Sequence, residues 1–196
     1  MASFEQAHKL TAAYEGFYVN NPADRGGETY RGVARNAHPK WTGWAIVDAL
    51  KKKPDFPKNL RNHVALNAEV DMFYRSVFWN KIRGDDLLDQ RLANYVFDFA
   101  VNSGVVTAGR FLQRALNVHA RGRFPELVAD GQIGGKTLQA LDAVGSDIGA
   151  VAATLLEERK EFVQDLAVKN PSQQVFLKGW LARLKRLEKD SDSVIV

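Results

Sequence analysis

Glu15, Asp24 and Thr29 lie close together in a turn-rich stretch, Glu15-Gly16-Phe17-Tyr18-Val19-Asn20-Asn21-Pro22-Ala23-Asp24-Arg25-Gly26-Gly27-Glu28-Thr29-Tyr30. Two carboxyls and a hydroxyl at this spacing are a kit for cleaving a glycosidic bond. One protonated acid serves the leaving oxygen. A second polar group on the other face of the sugar ring places a water or attacks directly. Glu15 follows a helical pattern, so the negative end of the helix dipole disfavours its ionisation, and partial burial would add to that. Both effects suit a general acid working near neutral pH.

Each residue also has an ordinary reading. Glu15 could be a solvated glutamate at a helix end. Asp24, in Pro22-Ala23-Asp24-Arg25-Gly26-Gly27, could be a turn aspartate. Thr29 could be a strand threonine. Glu28 is an alternative second carboxylate, but strand alternation points it away from Thr29. Farther on, Asn102 follows an apolar run. Its amide either caps a helix or is presented to a ligand.

These groups need a scaffold. Ser3 to Tyr14 reads as a helix with capping-box spacing and Gly16 as its stop. Phe17 to Asn20 and Glu28 to Val33 read as two short strands of one hairpin. Trp44 to Lys53 and His63 to Trp79 read as helices. Leu87 to Val101 is apolar on most faces in its second half and should be the buried central helix. Helices over Val105 to Leu116, Lys136 to Leu141, Asp147 to Lys169 and Asn170 to Lys189 complete the pattern, with Asp147 as a cap and Pro171 at a helix start. The expected fold is mainly α (α+β, lysozyme-like): a helical bundle around a buried helix, with one small N-terminal hairpin. Residues 1–95 form a catalytic half and 96–190 a helical half, packed as one domain, and 191–196 a frayed tail.

The 196 residues are 45% hydrophobic and 26% charged, an ordinary globular composition that can build a core. With no cysteine, disulfides and thiolate metal sites are excluded. His8, His38, His63 and His119 form no metal-binding spacing, and no phosphate-binding glycine motif is present. No cofactor or metal is expected. The net charge is +4, and the run Lys51-Lys52-Lys53 reads as a helix end. A weak steering field toward a polyanion is the other reading of that charge. No apolar run approaches a membrane span, and the first residues lack the form of a signal peptide. The expectation is synthesis in the cytoplasm, no stable membrane insertion and action outside after release. Trp41, Trp44, Trp79 and Trp180 could stack on sugars, though core tryptophans are commoner.

The stretch from Tyr14 to Thr29 resembles the signature of glycoside hydrolase family 108, bacterial and prophage N-acetylmuramidases often labelled secretion activators. The family pattern runs Glu-Gly-Gly-Tyr, then Asn-Asp-Pro, then Gly-Gly-x-Thr. Phe97-Asp98-Phe99-Ala100-Val101-Asn102-Ser103-Gly104 with Leu112-Gln113-Arg114-Ala115-Leu116 is a second match. Asp130-Gly131-Gln132-Ile133-Gly134-Gly135-Lys136-Thr137-Leu138, in the family's predicted peptidoglycan-binding region, is a third. Asn170-Pro171-Ser172-Gln173, then Phe176-Leu177-Lys178-Gly179-Trp180-Leu181, is a fourth. The resemblance implies a lysozyme-like fold that hydrolyses the MurNAc-β-1,4-GlcNAc bond of peptidoglycan, with Glu15 as the essential acid. Asp24 and Thr29 are similar to the partners of that acid in phage-type lysozymes, which place the threonine one residue later. It further implies that Asn102, Tyr18 and Tyr30 contact substrate. Peptidoglycan, not nucleic acid, would be the partner, and release would need a holin or another export route. Phe17 replaces a family glycine and Arg25 a common proline. A lytic transglycosylase and a non-catalytic wall-binding accessory are the competing functions.

Overall fold

The computed structural model describes residues 1–13, 16–21 and 26–193. Glu15 and Asp24 therefore lie outside the described residues. The described chain is mainly helical, with one small antiparallel sheet. It forms two compact units, Ala12–Val77 and a second made of Met1–Thr11 with Phe78–Val196. Residues 95 and 96 both lie inside the helix Gln90–Ser103, within the second of these units.

In the Ala12–Val77 unit the sheet comprises β1 (Tyr18–Asn20), β2 (Glu28–Tyr30) and β3 (Val33–Ala34), in the order β1-β2-β3. Glu28 to Val33, expected as one strand, is two. Arg31 at φ 44 and Gly32 at φ 79 form the turn between Tyr30 and Val33, which are paired. Two consecutive positive φ values match the twist of a two-residue hairpin. Helix α1 (Phe4–Ala12) belongs, but for its last residue, to the other unit, while α2 (Gly43–Lys51) and α3 (Val64–Tyr74) pack on each other within this one. The His63 ring caps α3 by accepting from Leu66 N at 3.3 Å. A π-helical turn, Arg75–Trp79, carries the chain on.

The other unit is built around α4 (Gln90–Ser103), which packs against three further helices: α5 (Val105–Val118), α7 (Ile148–Lys169) and α8 (Gln174–Asp192). Asp89 starts α4 by accepting from Leu92 N at 2.7 Å. Every residue from Leu92 to Ala100 is buried. Each large apolar side chain among them contributes roughly 1.5–3 kcal/mol by leaving water. At φ 88, Gly104 ends α4 and begins α5, so the two helices meet at a single-residue corner. The N-terminus is tied to the same core: Phe4 packs edge-on to Trp79 and Phe97 at 5.7 and 5.9 Å between ring centres.

Helix α6 (Gly135–Val144) follows the loop after α5. Asp147 precedes α7 but makes no capping bond. Its carboxylate accepts from Arg123 Nη2 at 2.8 Å instead. Pro171 opens a short 3-10 turn, Pro171–Gln173, ahead of α8. The last helix extends beyond the expected end, since Ser191 is buried and its hydroxyl accepts from Asn94 Nδ2 at 3.2 Å.

Candidate functional site

The sheet has two unlike faces. Glu28 and Tyr30 are buried, while Thr29 between them is half-buried. Thr29 pairs with Val19 on one side and Ala34 on the other. Val19 is exposed and Ala34 is small, so this row leaves the Thr29 hydroxyl at an open face. Among the described residues the hydroxyl makes one long bond, donating to Gly27 O at 3.4 Å. A methyl on Gly26 would lie 3.3 Å from that oxygen, so glycine there keeps the approach clear.

The opposite face is closed by a charge cluster. Glu28 pairs with Lys51 Nζ at 2.7 Å and with Arg35 Nε at 2.9 Å, and accepts from the Tyr18 hydroxyl at 2.9 Å. Arg35 also grips Asp48 through both terminal nitrogens, at 3.0 and 2.7 Å. Lys51, from the lysine run, thus sits in the last turn of α2 with an ion-pairing role. A carboxylate held by two cations and a phenol is a structural anion. Glu28 is therefore ill suited to be a mobile acid or base.

The same arrangement commits Tyr18 and Tyr30. They are cross-strand partners on the Glu28 face, not the Thr29 face. Burial and the hydrogen bond to Glu28 push the Tyr18 phenol up to about 12. Tyr30 is fully buried, and its hydroxyl donates to Leu60 O at 3.0 Å. Both hydroxyls expected at substrate are used inside the unit. Phe17 packs edge-on to Tyr30 at 5.7 Å and lies under the Arg61 guanidinium at 5.0 Å. It fills the hairpin's packed side.

Asn102 belongs to the other compact unit. It is exposed on the last turn of α4, and its Nδ2 donates to Asp98 O at 2.6 Å. One turn earlier lies Asp98, wholly buried between two guanidinium groups. Its Oδ2 accepts from Arg159 Nη2 at 2.6 Å and its Oδ1 from Arg183 Nη2 at 2.6 Å. Burial alone would raise this carboxyl, but the two guanidinium charges outweigh it and hold it below its ordinary value. Asp98 lies in the Phe97 to Gly104 motif, but its partners are far away in sequence. The available signal was one acid in an otherwise apolar run.

The Asp130 to Thr137 motif proves to be a lock between a loop and α5. Gln113 is buried; its Nε2 donates to Asp130 Oδ1 at 2.9 Å and to Gln132 O at 3.1 Å, and its Oε1 accepts from Gly131 N at 2.8 Å. Gly131 has φ 87, and a methyl there would meet Val106 O at 2.4 Å. The hydrogen bond from Gln113 holds the exposed Asp130 carboxyl below its usual range. Beside this lock is a cavity of about 610 Å³ whose walls include Phe124, Leu127 and Lys136.

Glu158 on α7 was also unforeseen. Burial pushes its carboxyl up against the pull of Arg114, and its Oε2 has no hydrogen-bond partner among the described residues. Trp79 and Trp44 are core residues, and their indole nitrogens donate to Asp85 Oδ1 and His38 O. Trp41 and Trp180 are half-buried. Among the described residues no cluster of His, Cys, Asp or Glu is placed to hold a metal, and no helix is long and apolar enough to cross a membrane.

Comparison with known proteins places the join between two family regions after α4. Residues 8–104 match the family model Glycosyl hydrolase 108, and residues 107–185 match Predicted Peptidoglycan domain. The structure of Brucella abortus SagA is similar at TM-score 0.64 and 26% identity, covering 97% of this chain and 94% of that one. No curated protein matches the chain. The mainly helical fold with its small sheet is the lysozyme-like α+β kind expected. Residues 8–104 thus form a glycosyl hydrolase family 108 region, and residues 107–185 a predicted peptidoglycan domain.

Proposed function

We propose that this protein is a peptidoglycan N-acetylmuramidase that hydrolyses the MurNAc-β-1,4-GlcNAc bond. Glu15 is the general acid. Asp24 acts as base or stabilises the oxocarbenium-like transition state, and Thr29 helps hold the water. Asn102 hydrogen-bonds the glycan polymer. Membership of the family over residues 8–104 carries the reading, because that span includes the whole Glu15 to Thr29 signature. The open face at Thr29 supports it, since the neighbouring acid, Glu28, is neutralised on the other side. The catalytic part is followed by a wall-binding part that keeps the enzyme on an insoluble polymer. The protein opens the wall for lysis or for secretion, after release through a holin or another route.

Mass spectrometry of fragments released from purified sacculi tests this. Reducing muramic ends are expected. Anhydro ends would make the protein a lytic transglycosylase, and Asp24→Asn would then cost little. Pelleting with sacculi without any fragment would reduce the protein to a binding accessory.

A further inference from the structure

Between α5 and α7 runs a groove of about 560 Å³. Phe111 of α5 is buried and Phe162 of α7 half-buried, and the two rings meet edge-on at 5.4 Å between centres to form its floor. One wall carries Arg110 and Arg114, whose spacing puts them on one face of α5. The other carries Glu158 and Glu161, again at a spacing that shares a face, on α7. Asp165 and Lys169 also line the groove but pair with each other at 3.4 Å, which leaves the two rows.

The rows do not grip each other. Among the described residues, Arg110, Arg114, Glu158 and Glu161 make no ion pair or hydrogen bond. Arg110 acts on Asp130, and Arg114 on Glu158, through charge alone. Arg114 instead lies over the Phe111 ring, 4.7 Å from its centre. Exposed charges left single would carry no weight, since surface pairs are worth little. Glu158 is different: it is half-buried, and burial pushes its carboxyl up. A carboxylate partly withdrawn from water gains from a donor that reaches it. The two rows together select the form of that donor. A phosphate or other anion would meet the glutamates, a simple amine would meet the arginines, and a neutral sugar would use neither. An ammonium and a carboxylate on one carbon satisfy both. Guanidinium takes a carboxylate through two parallel N–H bonds, and an ammonium brings three donors. The aliphatic stem behind them would cover the two rings.

We propose that this groove binds the zwitterionic end of a diamino acid in the stem peptide of peptidoglycan, with Arg110 and Arg114 on its carboxylate and Glu158 and Glu161 on its ammonium. The site rests on the wall-polymer reading above and deepens it: this unit reads the peptide, and it favours walls built with diaminopimelate over walls built with lysine. The side chain of diaminopimelate ends in both groups, whereas that of lysine ends in the amine alone.

Calorimetric titration of the full chain tests this with two soluble peptides, L-Ala-γ-D-Glu-meso-diaminopimelate and L-Ala-γ-D-Glu-L-Lys. Neither holds a glycosidic bond, so neither is turned over. The diaminopimelate peptide should bind about tenfold or more tightly than the lysine peptide, the worth of one charge-assisted contact. Arg110, Arg114 and Glu161 are exposed, and glutamine keeps the size of Glu158, so the variants should hold their melting temperature. Arg110→Gln with Arg114→Gln should abolish the preference, because the extra carboxylate loses its partners. Glu158→Gln with Glu161→Gln should weaken both peptides and leave the preference, because both peptides keep the amine. The proposal is overturned if neither peptide binds, if the lysine peptide binds as well as the other, if the arginine variant keeps the preference, or if the glutamate variant binds both peptides as the wild type does. Release of fragments from sacculi by the wild type is read independently, so failure of this groove and failure of the muramidase reading are distinct results.

Discussion

Replacing Asp98 by asparagine removes one negative charge from the most buried ionic group described. Asp98 is 0% exposed, Arg159 4% and Arg183 15%. The amide keeps the size of the carboxylate but leaves two guanidinium charges facing each other with little solvent. Breaking a buried ionic network by removing one partner costs about 3–5 kcal/mol. At about 2–4 °C per kcal/mol for a chain of this length, the melting temperature should fall by roughly 6–20 °C. Asp48→Asn is the control. Asp48 also meets two cations, but it is 49% exposed, and such pairs are worth about 0–1 kcal/mol. The effect should depend on pH in a defined direction. The folded Asp98 carboxyl is held below its unfolded value of about 3.9. Its contribution is therefore present above about pH 4 and is lost as pH falls through the folded pKa. Thermal melts of wild type and variant should diverge near neutrality and converge in acid. A variant that melts within about 1 °C of wild type at pH 7 would refute the claim that this cluster holds α4, α7 and α8 together.

Three further outcomes follow from the geometry. Tyr18→Phe should cost about 1.5–3 kcal/mol in denaturant melts, the range for a hydrogen bond to a charged group, here the buried Glu28. Ultraviolet titration should show the Tyr18 phenol ionising only at about 12, so its contribution to stability is full below about pH 10 and is lost as pH rises from there toward 12; ionisation at pH 10 would contradict this. Gly131→Ala should cost about 1–3 kcal/mol, because the residue has φ 87 and its methyl would sit 2.4 Å from Val106 O. Pelleting with sacculi should weaken along with it, and unchanged pelleting would separate the loop lock from wall binding. Gln113→Leu should loosen the same loop, seen as faster amide exchange at Gly131, whose N–H would lose its acceptor; unchanged exchange would mean the loop is held by other contacts.

Much of the scaffold was legible because its signals are local. An apolar run marked α4, the Asn102-Ser103-Gly104 stretch its end, and Pro171 the start of the last helical segment. The β2–β3 turn was missed because Arg31 is not a residue that announces a positive φ, and Gly32 alone is a weak sign. Asp147 looked like a helix cap, but a stronger partner, Arg123, arrives from 24 residues earlier. Asp98 gave a signal in type but not in partner, since Arg159 and Arg183 lie 61 and 85 positions away. The same limit applied to Tyr18 and Tyr30. Their types suit sugar binding, yet the pleat sends them to the face opposite Thr29, where Glu28 and Leu60 claim their hydroxyls. Gln113 and Asp130 were both in recognisable motifs, while the bond between them depends on how the loop returns to α5.

The central claim is that Glu15 is the proton donor of a peptidoglycan hydrolase. The direct measurement is the rate of release of soluble reducing fragments from purified sacculi by wild type and by Glu15→Gln, at equal amounts of bound protein. A general acid contributes about 10²–10⁴-fold. The variant should lose at least that much while it still pellets with sacculi and keeps its circular dichroism. Release within tenfold of wild type would contradict the assignment. It would move the search for the acid to Glu158, the described carboxyl raised by burial.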